Sequence, residues 1–227
     1  MKAEGKTFSI LGDSYSTYKN YIPGDYEAWY MDEGPVASND VSSVEQTWWY
    51  MFCREKQLTL LQNCSYSGSP VCNTWYDGMD ASELSFIKRM NRELIPTQEH
   101  QPDFLIVFGG TNDFWAGCPI GRTQYEEWTK ADLKKFAPAF CYMMTKLREW
   151  YPNIPIYNVV NDELSGEIKQ IMKEVCDKFD ITNIWLENIG KENGHPNQEG
   201  MRQIKEQICE GIFRRWNTAC SDGNIKK

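Results

Sequence analysis

The chain has 227 residues, which is enough for one sizeable α/β domain and too few for two. Its formal net charge of −8 disfavours nucleic acid and anionic membrane surfaces as partners, because both carry negative charge. No apolar run approaches the roughly 20 residues of a membrane-spanning helix, and the first six residues lack a signal-peptide core. We therefore expect a single domain over residues 1–227, cytoplasmic as the chain stands, and periplasmic or extracellular if a leader was removed.

Predicted strands and helices alternate along the chain. Short apolar runs predict five strands, at 8–11, 58–62, 103–108, 154–160 and 181–186. Amphipathic stretches predict helices at 45–55, 129–150 (with a kink or break at Pro138), 163–179 and 196–216. Such alternation predicts an α/β fold with a parallel sheet covered on both faces. Ligands of these sheets bind beyond the carboxyl ends of the strands.

Ser14 is the candidate nucleophile, because it follows the first predicted strand directly. Gly12 allows a tight turn that leaves the Ser14 hydroxyl at the carboxyl end of that strand. A Gly-Asp-Ser tripeptide alone is also typical of an ordinary turn.

Two further strand ends carry groups that suit an oxyanion hole. Gly68 follows the second strand, and its backbone N–H is open to a bound acyl oxygen because no side chain obstructs it. Asn112 follows the third strand after Gly109 and Gly110, and its side-chain amide offers N–H donors. A flexible turn at Gly68 and an Asx-turn at Asn112 are the structural alternatives.

His195 is the candidate general base, because an active serine needs a neighbouring base and the chain has two histidines. His100 precedes a strand, at the wrong edge of the predicted sheet. His195 lies between the last strand and the final helix, at the correct edge. A helix-capping or surface histidine is the alternative interpretation.

The chain carries four short motifs, in the order Gly12-Asp13-Ser14, Gly68, Gly110-x-Asn112-Asp113 and His195-Pro196. It resembles the SGNH hydrolases, also called GDSL-like acylhydrolases, because they carry these motifs in the same order. The marks span residues 12–196, and the segments 44–49 and 115–128 resemble a bacterial esterase subgroup. The resemblance implies a flavodoxin-like three-layer α/β/α sandwich and an ester hydrolase without metal or cofactor. It also implies that Ser14 attacks, that His195 transfers the proton, and that the N–H groups of Ser14 and Gly68 and the Asn112 amide hold the oxyanion.

One position departs from the family pattern. The family has aspartate three residues before the histidine, whereas this chain has Glu192. Either Glu192 orients His195 and stabilises its imidazolium, or it points to solvent and a backbone carbonyl takes that role.

The expected activity is hydrolysis of small carboxylic esters through an acyl-Ser14 intermediate, with O-acetyl groups of carbohydrates preferred. Trp115 and Tyr125 are candidate substrate contacts, because their loop follows Asn112. A lipase or lysophospholipase-type acylhydrolase and a non-catalytic carbohydrate-binding module are the alternatives. The oligomeric state is left open.

A metal-dependent phosphoesterase would have to use Asp13, Asn112 and Asp113 as ligands, and the chain has few histidines for such a site. The sequence contains no phosphate-binding glycine loop, so it does not indicate a nucleotide cofactor. The eight cysteines form no Cys-x-x-Cys pair, and a disulfide such as Cys64–Cys72 is an open possibility.

Overall fold

The structure is a computed structural model that describes residues 4–98 and 100–222, with side chains as far as Phe213. A five-stranded parallel sheet lies at its centre, in the order β2-β1-β3-β4-β5. Its strands are β1 (Thr7–Gly12), β2 (Thr59–Asn63), β3 (Phe104–Phe108), β4 (Ile156–Val160) and β5 (Thr182–Trp185). The predicted five-stranded parallel sheet with helices on both faces is confirmed.

The helices flank this sheet in two layers. They are α1 (Trp48–Lys56), α2 (Phe86–Glu93), α3 (Thr111–Trp115), α4 (Phe136–Trp150), α5 (Gly166–Lys178) and α6 (Gln198–Asp222). Helices α1 and α6 pack together on one face, whereas α2, α4 and α5 cover the other. None of the helices that the structure describes is long and apolar enough to cross a membrane.

The central strand β3 shows why the sheet needs both layers. Phe104, Ile106 and Phe108 belong to the hydrophobic core beneath α1 and α6, whereas Leu105 and Val107 belong to the core beneath α4 and α5. All five side chains are buried, since successive residues of a strand point to opposite faces. A continuous apolar run is therefore the expected sequence of this strand.

All four predicted helices begin later in the structure than expected, α1 and α5 by three residues each. The helix expected from residue 129 begins at Phe136, after a short 3-10 turn at Asp132–Lys134. Pro138 consequently lies in the first turn of α4, where its missing N–H leaves no intrahelical bond unmade, and it is neither a kink nor a break. The last helix begins at Gln198, two residues later than expected.

The shift at α6 makes room for an unpredicted two-stranded hairpin. Strands β6 (Lys191–Glu192) and β7 (His195–Pro196) pair in antiparallel fashion. Their turn residues, Asn193 and Gly194, have φ angles of 48° and 74°. Positive φ at both positions is typical of the tightest hairpin turns, which favour the Asn-Gly pair. This hairpin brings His195 to the carboxyl edge of the sheet.

Candidate active site

Ser14 begins a short 3-10 turn, Ser14–Ser16, directly after β1. The Asp13 carboxylate caps this turn by accepting the Tyr15 N–H at 3.1 Å. A side chain at Gly12 would put its Cβ 2.4 Å from the Ser65 Oγ, so glycine is required where the turn passes the end of β2. The strand end and the close approach together place Ser14 at the carboxyl edge.

The Ser14 Oγ lies 2.9 Å from the Nε2 of His195. The Nδ1 of the same ring lies 3.1 Å from the carbonyl oxygen of Asn193. Since a carbonyl oxygen can only accept, Nδ1 carries the proton and Nε2 is left as the acceptor for the serine hydroxyl. The arrangement is a serine–histidine pair whose third member is a main-chain carbonyl.

The structure does not give Glu192 the role of orienting His195. Glu192 is exposed in β6, and its neighbour's carbonyl, that of Asn193, occupies the position at Nδ1. Of the two alternatives for Glu192, the structure has the one in which a backbone carbonyl acts.

Three aromatic rings surround the imidazole of His195. The Trp29 indole is stacked on it, with ring centroids 3.4 Å apart and an interplanar angle of 6°. Tyr15 and Trp115 approach it edge-on at 5.5 and 5.6 Å. Burial in this apolar cage lowers the pKa of His195 to about 4, because removal from water disfavours the charged ring.

Glu163, which follows β4, contacts two of these three aromatic residues. Its carboxylate accepts the Trp115 Nε1–H at 3.0 Å and lies 3.1 Å from the Tyr15 hydroxyl. Tyr15 also contacts the carbonyl of Gly194 at 2.7 Å, and Lys191 forms an ion pair with Glu163. The candidate contact residue Trp115 therefore forms a wall beside His195.

Asn112 lies in the first turn of α3, next to the end of β3. Its Nδ2 donates to the carbonyl of Ser69 at 3.1 Å, which links it to the segment that contains Gly68. A side-chain amide has two N–H donors, so one is still available for a ligand. Gly68 has a φ of 80°, and the Trp75 ring lies 3.5 Å from the position of a Cβ there.

Buried Arg89 connects the strand ends beneath this site. Its guanidinium donates to the carbonyls of Gly12 (3.0 Å) and Cys64, and to the Ser69 hydroxyl at 2.5 Å. Burial lowers its pKa to about 9, which leaves it charged at neutral pH. One cation thus joins the Ser14 turn to the Gly68 segment.

The Asp113 side chain bonds the loop that follows Gly68. Its buried carboxylate accepts the backbone N–H groups of Val71 at 2.7 Å and Cys72 at 3.1 Å. The Sγ atoms of Cys72 and Cys118 lie within 4.8 Å of that carboxylate, and both contact the carbonyl of Thr74. These three groups are close enough to hold a metal ion, and each already has a main-chain partner.

The phosphoesterase alternative would need Asp13 and Asp113 to face one ion. The Asp13 carboxylate instead accepts a backbone N–H of its own turn, and the Asp113 carboxylate accepts two backbone N–H groups of a different loop. The disulfide considered for Cys64 and Cys72 is not formed, because both are free thiols. Of the eight cysteines, Cys220 lies outside the described side chains.

Tyr125 is not brought to the site. Its hydroxyl contacts Glu174 at 3.2 Å, and its ring packs on Phe179 beneath the Lys178 amine. These partners lie on the second half of α5 or directly after it, and α5 runs towards the amino edge of the sheet. His100 also lies at that edge, shortly before β3.

Sequence reasoning missed Trp29 and Glu163. Ligands of parallel sheets bind beyond the carboxyl ends of the strands, and this strand-end rule would have identified Glu163, because it follows β4 at the same edge as Asn112. Trp29 lies in the long connection between β1 and α1, where no periodic pattern marks its orientation.

Comparison with known proteins agrees with this geometry. A model of the family described as GDSL-like Lipase/Acylhydrolase matches residues 6–212. Among curated proteins, none matches the chain.

Solved structures from bacteria are similar to the chain. A GDSL-like lipase from Bacteroides uniformis is 47% identical, with a TM-score of 0.86 over 92% of this chain and 96% of that one. One from Bacteroides ovatus is 42% identical, with the same TM-score over 93% and 99%. An acetyl xylan esterase from Butyrivibrio proteoclasticus shares the fold at 17% identity (TM-score 0.63, 94% and 65%). The chain therefore belongs to the family of GDSL-like lipases and acylhydrolases.

Proposed function

We propose that this acylhydrolase is a metal-independent serine esterase for small carboxylic esters, and that O-acetyl groups on carbohydrates are its preferred substrates. The observation that carries the proposal is the 2.9 Å contact between the Ser14 Oγ and the His195 Nε2. A hydroxyl becomes a competent nucleophile at neutral pH when an adjacent neutral imidazole accepts its proton.

The reaction proceeds in two steps. The Ser14 Oγ attacks the ester carbonyl while its proton moves to the His195 Nε2. The N–H groups of Ser14 and Gly68 and the free Asn112 N–H stabilise the oxyanion. Collapse of this intermediate expels the alcohol, which takes the proton from His195 and leaves acyl-Ser14. Water, deprotonated by the same imidazole, then releases the carboxylic acid and restores the serine.

Tight enclosure of the reacting groups supports a short acyl chain. Ser14, Asn112 and His195 are 2%, 3% and 6% exposed, so little space surrounds the attacking oxygen. An acetyl group requires the least room of the common acyl groups. A lipase-type substrate would instead require a long apolar channel next to Ser14.

Half-buried tryptophans support a carbohydrate alcohol. Trp29 and Trp115 lie on the His195 side, and Trp75 lies on the Gly68 side. Indole rings present broad apolar faces with a polar edge, which suit the faces of sugar rings. An acetyl xylan esterase, whose substrate is an acetylated carbohydrate, is built on the same fold.

The test is hydrolysis of 4-nitrophenyl acetate, butyrate and octanoate by wild type and Ser14→Ala, with EDTA present. We expect activity in wild type alone, highest with acetate. Best activity with octanoate would favour a lipase. Acetylated xylo-oligosaccharides should be better substrates than the aryl acetate, and equal or lower kcat/KM would refute the carbohydrate preference. If Ser14 reacts neither with esters nor with a phosphonate probe, a binding module is the better description.

A further inference from the structure

Trp29 links the nucleophile turn to the base. Its indole is stacked on the His195 ring at 3.4 Å, nearly parallel. Its backbone N–H donates to the Thr17 Oγ1 at 2.9 Å, and that hydroxyl donates to the Ser14 carbonyl at 2.9 Å. The indole is therefore held over the imidazole by the same turn that presents Ser14.

The imidazole of His195 becomes positively charged when it accepts the Ser14 proton, and the groups around it stabilise that charge only weakly. The atom bonded to Nδ1 is the neutral carbonyl oxygen of Asn193. The Glu163 carboxylate favours the imidazolium and raises the pKa of His195, but it is paired with Lys191, whose own charge opposes protonation of the ring. Tyr15, the remaining titratable group in contact, keeps its proton because burial raises its pKa well above the usual value.

We propose that Trp29 is a positioning residue that holds His195 in its reactive orientation and stabilises the imidazolium through the face of its indole. When the Ser14 proton moves to Nε2, the ring gains a full positive charge. A cation within about 6 Å of an aromatic centroid is attracted by the ring quadrupole, most strongly by tryptophan. In this chain the indole face thus supplies part of what a carboxylate supplies in a Ser-His-Asp triad.

Trp29 acts on the pKa of His195 in two opposite directions. Covering the ring excludes water and lowers the pKa, whereas the π face favours the imidazolium and raises it. A comparison of Trp29→Phe with Trp29→Leu separates the two effects. Both side chains cover the imidazole with apolar atoms, but phenylalanine alone keeps an aromatic face.

The experiment is an NMR pH titration of the His195 imidazole in wild type, Trp29→Phe and Trp29→Leu. The chain has two histidines, so a His100→Gln background leaves one imidazole to follow. We expect a pKa about half a unit higher in Trp29→Phe than in Trp29→Leu, which is a threefold difference in protonation. An equal or higher pKa in Trp29→Leu would overturn the proposal.

A kinetic experiment on the same variants rests on the proposed esterase function, whereas the NMR titration does not. The proposal for Trp29 and the proposed function can therefore fail separately. With 4-nitrophenyl acetate, the plateau kcat/KM should fall about threefold in Trp29→Phe and about tenfold in Trp29→Leu, mainly through kcat. Equal losses in the two variants would argue against stabilisation by the ring face.

Fluorinated tryptophan at position 29 provides a second test if Trp29→Leu does not fold. Fluorine withdraws electron density from the indole face and changes its shape little. We expect the His195 pKa to fall as fluorine atoms are added. A constant pKa along the series would contradict the role of the ring face.

Discussion

The Nδ1 of His195 lies 3.1 Å from the carbonyl oxygen of Asn193, which belongs to the turn of the same hairpin. The acceptor that orients the base is thus a main-chain atom two residues away. The Glu192 carboxylate, which the family pattern would put in this role, is exposed. We therefore expect different effects of substitutions at Glu192 and at Glu163.

Glu192→Gln should change kcat/KM for an aryl acetate by less than twofold, because no bond to His195 is lost. Glu163→Gln is the matched comparison and should lower it about tenfold. It removes the carboxylate that accepts from Trp115 and lies next to Tyr15. Steady-state kinetics on both variants check the prediction, and a larger loss in Glu192→Gln would contradict it.

Activity should persist in mildly acidic solution. His195 must be neutral to accept the Ser14 proton, and burial lowers its pKa to about 4. As pH falls, kcat/KM should therefore remain near its plateau at pH 5.5 and decline close to pH 4. Release of 4-nitrophenol, measured by chromatography, provides the profile. A decline centred at pH 6.5 would be inconsistent with a dehydrated imidazole, and His100→Gln serves as the control.

Asn112→Ala should lower kcat about 10²–10³-fold with a small effect on KM, as the loss of an oxyanion donor typically does. The same change removes the bond from Nδ2 to the Ser69 carbonyl. The unfolding midpoint must therefore be measured alongside the kinetics. A loss confined to KM would assign Asn112 to ground-state binding instead.

Arg89→Met should lower the free energy of unfolding by about 2–4 kcal/mol, because it leaves buried carbonyls without donors. It should also reduce activity, since Arg89 connects Gly12 with Ser69. Arg92→Met, on the same helix but with a 44% exposed side chain, should change stability by less than about 0.5 kcal/mol. Urea unfolding of both variants tests this, and equal effects would refute it.

Asp13→Asn should become more stabilising, relative to wild type, as pH rises. Burial raises the pKa of Asp13 from 3.8 to about 7. A raised pKa means that its contribution to stability is complete below pH 4 and is lost as pH rises through 7. Between pH 5 and pH 8 the difference in unfolding free energy should grow by about 2–3 kcal/mol. A constant difference in urea titrations would show that Asp13 is not dehydrated.

The strand-end rule explains how much could be predicted from the sequence. Ser14, Asn112 and His195 all follow strands of a parallel sheet, so the fold itself brings them to one edge. The acceptor at Nδ1 could not be predicted, because every residue has a carbonyl and only the turn geometry selects that of Asn193. Trp29 was missed for a related reason, since a long connection carries no periodicity.

Tyr125 shows the opposite failure. Proximity in sequence to Asn112 suggested a substrate contact, but the loop returns across α5 and its aromatic ring packs on Phe179. Pro138 was misjudged because the helix start depends on the 3-10 turn before it, which the apolar pattern does not reveal.

A base oriented by its own hairpin is insensitive to mutation at the neighbouring side chain. No single substitution at position 192 deletes a peptide carbonyl, so we expect that position to vary without loss of the proposed reaction. A search for related enzymes that demands an acidic residue three positions before the histidine would therefore discard sequences in which a turn carbonyl takes that position. The Asn-Gly turn is the better diagnostic, because the backbone conformation at 193 and 194 is what aims the carbonyl at the ring.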